Sequence, residues 1–342
     1  MDSYKNQKSN LFFWTSGKQL LNKNKNLIKR WKKWGKILMH QAGWKRFLHS
    51  FSQVVFVENI ISGFLILVGI FVFSYEINNF DIGILAVIGA IIGNVTAKLL
   101  GNDENAIVSG LFGFNTVLVG IGAATFFSGV DAYIVGILGS FLTIPLTTVI
   151  NNLCARLELP GFTMPFIAMT WFLILVSFQT NLLTVGRAGA LSATKTLSTD
   201  PLVWSDVLTK GLGEIYLLDS MYASLLIFAA FAIDRWHLAI KIALTILATI
   251  GLGLLFRVDY VVLNLGLYTY NSILVLMGLE TFSTNKKNPV KYALIVALGI
   301  LTAVLVDYAT PSVLGVFALP SLTFPFVLTT WGVLYFEKHL KA

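Results

Sequence analysis

The sequence predicts an all-α polytopic membrane protein of two inverted-topology repeats, with about ten transmembrane helices in all. Three observations carry this prediction. Of 342 residues, 56% are hydrophobic and only 12% charged, where a soluble domain has about 25% charged. Mean hydropathy is +0.76, and apolar stretches of about 20 residues, long enough to cross a bilayer, recur along the chain. Finally, an octapeptide returns 160 residues after its first appearance. A soluble enzyme, a secreted disulfide scaffold and a disordered chain are thereby excluded. The single cysteine, Cys154, allows neither an internal disulfide nor a thiolate cluster, and four histidines leave little for haem or zinc.

The net charge of +8 invites a nucleic-acid partner, but its distribution argues for none. Residues 1–52 hold 12 Lys/Arg and one acid, so they carry +11; residues 53–342 hold 13 Lys/Arg and 16 acids, so they carry −3. The first segment lacks the apolar core of a signal peptide. From Leu27 to Phe51 it is basic and tryptophan-rich, with Trp31, Trp34 and Trp44 among lysines. Such a segment suits an interfacial helix on anionic membrane lipid. A topology signal followed by a solvated tail fits it equally well.

Apolar spans follow at about 54–74, 80–100, 106–127, 132–150 and 165–186, and again at about 213–233, 237–256, 260–282, 290–306 and 324–336. The polar stretch 187–212 separates the two sets and reads as an external linker. Placing the tail inside leaves 21 Lys/Arg on the inner side and four (Arg187, Lys195, Lys210 and Arg257) outside. Both termini are therefore expected in the cytoplasm, and the protein in the cytoplasmic (inner) membrane. The expected domains are 1–52 (tail), 53–186 (first repeat), 187–212 (linker) and 213–342 (second repeat).

The halves resemble each other at three places in the same order. Leu159-Pro160-Gly161-Phe162-Thr163-Met164-Pro165-Phe166 recurs as Leu319-Pro320-Ser321-Leu322-Thr323-Phe324-Pro325-Phe326. The segment 113–118 matches 269–274 at an offset of 156, and 53–58 matches 214–219 at 161. An odd number of spans per repeat makes the second copy enter the membrane from the opposite side. In transporters of that kind the solute site lies near the midplane, where the repeats meet and helices break.

The paired prolines of each octapeptide lack N–H donors and disrupt a continuing helix. Carbonyls are left beside a threonine hydroxyl, and irregular backbone at membrane depth is tolerable only in a protein interior or a wet cavity. Proline kinks that merely shape helix packing are the competing explanation; the duplication favours a pathway. Repeat matching also assembles two side-chain sets: Gln53, Phe56, Phe114 and Leu118, then Glu214, Leu217, Tyr270 and Leu274. Each set joins one amide or carboxylate to flat or apolar surfaces, which suits a small planar solute. An acid such as Glu214 near the start of a span is a functional candidate, though an interfacial role remains open. Glu58 and Asp219 read as interface anchors, while Asn115 and Asn271 are expected to brace broken backbone. No catalytic pair, metal cluster or nucleotide loop is found, so an enzyme and a cofactor are not expected.

At the two octapeptides the chain resembles the urea transporter family, including its bacterial channels, whose signature Leu-Pro-x-x-Thr-x-Pro-Phe is satisfied in both copies. The resemblance extends from about Gln53 to the C-terminus. It implies five spanning helices and one half-membrane pore helix per half, a homotrimer with one pore per subunit, and passive, channel-like urea permeation. It also implies Thr163 and Thr323 at the central constriction, with Gln53 and Glu214 bonding urea at the two ends. Phe56, Phe114 and Leu118 would form one slot; Ile215, Leu217, Tyr270 and Leu274 would form the other. Membrane lipid and a second and third copy of the chain are the expected partners besides urea. A pore for short amides, water or ammonia, and a non-conducting membrane scaffold, are the competing readings.

Overall fold

The computed structural model describes residues 41–180 and 201–339. The tail residues up to 40, and the linker residues 181–200 with Arg187 and Lys195, lie outside the described residues. The chain divides into a unit ending at Lys45 and a compact unit beginning at Arg46. The second unit therefore starts within the segment that the sequence assigns to the tail.

All regular structure among the described residues is helical. In chain order the helices are α1 (Gln41–Ser52), α2 (Ile60–Glu76), α3 (Asp81–Leu99), α4 (Glu104–Val108), α5 (Gly113–Phe126), α6 (Gly129–Ala155) and α7 (Met164–Thr180). There follow α8 (Trp204–Thr209), α9 (Gly211–Glu214), α10 (Met221–Asp234), α11 (Trp236–Leu255), α12 (Tyr260–Asn264), α13 (Thr269–Phe282), α14 (Pro289–Leu314) and α15 (Phe324–His339). The order of long and short elements from α2 to α7 returns from α10 to α15. The backbone repeats in finer detail too. Residues with positive φ pair off as Phe56 and Leu217, Gly110 and Gly266, Glu158 and Ala318, Phe162 and Leu322.

Helices α3, α6, α11 and the segment Pro289–Phe317 are long and apolar enough to cross a bilayer. Gly43–Val55 and Ile60–Glu76 pass that test only together, across a 76° bend, while Gly113–Phe126, Met164–Gln179 and Met221–Asp234 are shorter apolar helices. The bend has a local cause. Phe56 is left-handed at φ 56°, and the Asn59 side chain starts a new helix by accepting from Ile61 N at 2.9 Å and Ser62 N at 3.3 Å.

The sequence anticipates continuous spans over 106–127 and 260–282; the structure breaks both. The chain leaves α4 through Gly110 (φ 86°) and α12 through Gly266 (φ 72°), each two residues past the helix end and in conformations that favour glycine. Space is equally restrictive, since a Cβ at Gly110 would lie 2.5 Å from His49 O and one at Gly266 would lie 2.3 Å from Gly211 N. Periodicity cannot register such a break, because both sides of it are apolar.

Where lipid replaces water, packing depends on close approach rather than on transfer from water. Helices α3 and α5 pack together, and a Cβ at Gly89 would fall 2.2 Å from Thr116 O, one at Gly120 2.2 Å from Leu85 O. The halves are joined by α2 against α10, where Ser62 Oγ donates to Ala230 O at 2.8 Å. Tyr216, fully buried, donates to Phe51 O at 2.7 Å. The buried core also holds Phe166 and Phe326, the last residues of the two octapeptides.

Candidate functional site

Helices α7 and α15 both begin inside an octapeptide, and their first turns explain the pattern Pro-x-x-Thr-x-Pro. The first backbone donors of a helix have no intrahelical acceptor. In α7 the N–H of Met164 bonds Gly161 O at 3.1 Å, Pro165 has no N–H, and Phe166 N donates to Asn115 Oδ1 at 3.3 Å. In α15 the N–H of Phe324 bonds Ser321 O at 3.2 Å, Pro325 has none, and Phe326 N donates to Asn271 Oδ1 at 3.2 Å.

Thr163 and Thr323 occupy the capping positions, since their carbonyls accept Ile167 N at 3.0 Å and Val327 N at 3.1 Å. A capping threonine ordinarily spends its hydroxyl on these early N–H groups. Here a neighbouring asparagine and a missing donor do that work, and the hydroxyls are released. They meet each other: Thr163 Oγ1 and Thr323 Oγ1 are 2.6 Å apart and buried. Two positive helix ends therefore converge on one pair of hydroxyls.

The expectation of helices broken by proline is thus refined. Pro165 and Pro325 stand in first turns, where proline is tolerated, while Pro160 and Pro320 lie in the irregular links before them. The freed carbonyls are partly occupied by side chains. Trp171 Nε1 donates to Pro320 O at 2.8 Å and Trp331 Nε1 to Pro160 O at 2.7 Å, a reciprocal clamp across the halves. Asn115 Nδ2 donates to Phe162 O at 3.3 Å; Asn271 Nδ2 reaches Leu322 O at 3.4 Å, and Tyr270 OH donates to the same carbonyl at 2.5 Å. Both asparagines brace broken backbone, as their matched positions suggest.

The remaining sequence-selected residues lie on or beside short elements of both halves. Gln53 opens a single 3-10 turn, Gln53–Val55, that packs on α5, which carries the buried Phe114 and Leu118. Phe56 follows it, and its ring meets Phe162, Phe282 and Phe326 edge-on at 5.7, 6.1 and 6.2 Å. Phe114 is not among the ring neighbours of Phe56 within the described residues. In the other half Glu214 ends α9, which packs on α13 with its buried Tyr270 and Leu274. Ile215 is buried and Leu217 half-buried, with Leu217 left-handed at φ 59°.

Glu214 itself is 8% exposed and has no ion-pair partner among the described residues. Lys210 is committed elsewhere, 3.0 Å from Asp206 and 2.9 Å from Asp219. Burial alone would lower the pKa of its ammonium, but the hydrogen bonds and charges of Asp219 and Asp206 raise it above its ordinary value. Asp219 thus shares with Asp206 an ion pair to Lys210.

Trp171, Trp331, Phe162, Phe282, Phe326 and Asp307 were not among the residues singled out from the sequence. For the tryptophans the signal existed: they stand 160 apart, like the octapeptides. Phe282 likewise matches Phe126 at the offset of 156. Asp307 had none, because its matched position is Thr147 and a lone acid in an apolar helix does not name its partner.

A family model described as "UT: Urea transporter" matches residues 44–338 of this chain. The chain is 28% identical over 302 residues to "Urea transporter 1" of Capra hircus, covering 83% of this chain and 74% of that protein. It is 29% identical over 299 residues to "Urea transporter 1" of Ovis aries, with the same shares of each chain. For "Urea transporter 1" of Mus musculus the identity is 28% over 240 residues, covering 68% of this chain and 61% of that one.

Proposed function

The chain belongs to the urea transporter family, and from that premise we propose that it carries urea passively across the cytoplasmic membrane, through a narrow pore between its two repeats. Members of this family are transporters rather than enzymes. The observation that carries the reading is the Thr163–Thr323 hydroxyl pair, relieved of capping at the junction of two helix N-termini.

A hydroxyl both donates and accepts. Urea, a neutral planar molecule with four N–H donors and one carbonyl, can exchange the Thr163–Thr323 bond for equivalent bonds to itself. A cation meets two positive helix ends and must shed its hydration among apolar walls, so it is rejected. An isolated ion in such surroundings costs far more than a neutral solute whose hydrogen bonds are replaced. No ion coupling or ATP is required, and flow follows the urea gradient.

On this reading Gln53 and Glu214 receive urea at the two ends. The surfaces of Phe56, Phe114 and Leu118, and of Ile215, Leu217, Tyr270 and Leu274, flank its faces. The recurrent element order and the matched positive-φ residues support two repeats. Their inversion, the count of ten spans with two half-membrane helices, the homotrimer in membrane lipid and the cytoplasmic termini belong to the same proposal. So does the division into tail (1–52), first repeat (53–186), external linker (187–212) and second repeat (213–342).

Stopped-flow urea flux into proteoliposomes tests the proposal, with methylurea, acetamide and water as comparators. Urea flux above that of protein-free vesicles, and faster than the comparators, is expected. Urea flux equal to protein-free vesicles overturns it, and a faster short amide or water reassigns the pore.

A further inference from the structure

The second half contains a buried acid that the permeation pathway leaves unused. Asp307 lies on α14, 5% exposed, in an apolar helix. Its Oδ1 accepts from Asn271 Nδ2 at 2.9 Å, while its Oδ2 is buried without a hydrogen-bond partner. Burying a carboxyl with half its acceptors unmet is costly, so the position calls for a compensating role.

Asn271 points to that role. Its amide bridges to both sides of Thr323: Nδ2 reaches Leu322 O at 3.4 Å and Oδ1 accepts from Phe326 N at 3.2 Å. A flipped amide would turn an N–H₂ toward the Phe326 N–H and its carbonyl toward Leu322 O, leaving like groups opposed. The Asp307 oxygen adds a third constraint, because it accepts only from the Nδ2 end. In the first half Thr147 stands at the matched position, and its hydroxyl turns back to Thr143 O at 2.7 Å. Asn115 therefore makes the same two backbone bonds, at 3.3 Å each, without such a hold.

We propose that Asp307 is a positioning residue which, through the Asn271 amide, fixes the Thr323 side of the constriction and sharpens its choice of urea over larger analogues. This rests on the urea pore proposed above. It makes the constriction unequal, with Thr323 held additionally from α14 and Thr163 braced by Asn115 without that further hold.

The test is the urea-to-methylurea flux ratio in proteoliposomes for wild type, Asp307→Thr and Asp307→Asn, each compared at equal assembled protein. Asp307→Thr installs the first-half residue and should lower the ratio about threefold to tenfold, the effect of one misplaced hydrogen-bonding group. Asp307→Asn retains an oxygen that accepts from Asn271 and should keep the ratio within about twofold. In an Asn271→Ala background, Asp307→Thr should change the ratio no further, since the route through the amide is gone. An unchanged ratio in Asp307→Thr, failure of Asp307→Asn to preserve it, or a full additional effect without Asn271 each overturns the assignment. A wild type that carries no urea would instead overturn the pore itself and this role with it.

Discussion

The two octapeptide links carry the same backbone on different side-chain supports. In both, a capping threonine precedes a helix whose third residue gives its N–H to an asparagine from a neighbouring helix. In both, the residue before the threonine is a left-handed bulky side chain, Phe162 or Leu322, a conformation that only surrounding contacts maintain. The supports then diverge. Phe162 O receives Asn115 at 3.3 Å, whereas Leu322 O receives Tyr270 at 2.5 Å as well as Asn271. At matched positions stand Thr147 in one half and Asp307 in the other, and likewise Gln53 and Glu214. The duplicated part is thus the backbone that liberates the hydroxyls; the groups around it have been free to differ in polarity.

The largest expected effect comes from the shared part. Thr163→Val and Thr323→Val each remove a hydroxyl from the proposed constriction, and each should lower urea flux about tenfold, near the cost of one unreplaced hydrogen bond. Unchanged flux in both variants would return the threonines to a packing role. Next comes the difference between the braces. Asn115→Ala leaves Phe166 N unpaired and frees Phe162 O, so it should cost about 1–3 kcal/mol of stability. Asn271→Ala leaves Phe326 N unpaired as well and takes the donor from buried Asp307, although Leu322 O is still held by Tyr270. Thermal unfolding in detergent should therefore show the greater loss for Asn271→Ala, and an equal or reversed order would erase the contrast.

A smaller effect is expected at the proposed ends of the path. Glu214→Gln copies Gln53 into the second half, and flux should stay within about threefold of wild type, because hydrogen bonding is retained. Complete loss would show that charge is required there. The smallest effect is expected for the tail: deletion of residues 1–45, which ends where the compact unit begins, should leave flux per assembled protein unchanged. Loss of conduction in correctly assembled protein would overturn that assignment.

Much of this arrangement is legible in the sequence because duplication repeats a constraint. The 160-residue spacing points to both threonines, and the matched positions of Asn115 and Asn271 mark them as braces. Apolar content alone located most helices. It could not find the breaks at Gly110 and Gly266, since an apolar residue on either side of a turn looks like the middle of a span. Nor did it anticipate that Phe56 would meet Phe162, Phe282 and Phe326 at their edges. Ring contacts depend on where a left-handed residue sends its side chain, not on spacing along a helix.

By itself the sequence determined the membrane class, the doubled architecture and the candidates for the pathway, because these follow from composition and from recurrence along the chain. Only the tertiary structure decided what the threonines do with their hydroxyls. That outcome depends on Asn115 and Asn271 reaching Phe166 N and Phe326 N across 51 and 55 residues. It also depends on two helix N-termini meeting at 2.6 Å between hydroxyl oxygens 160 residues apart. A hydrogen bond is satisfied over ångströms, and separation in sequence does not say which groups will be that close.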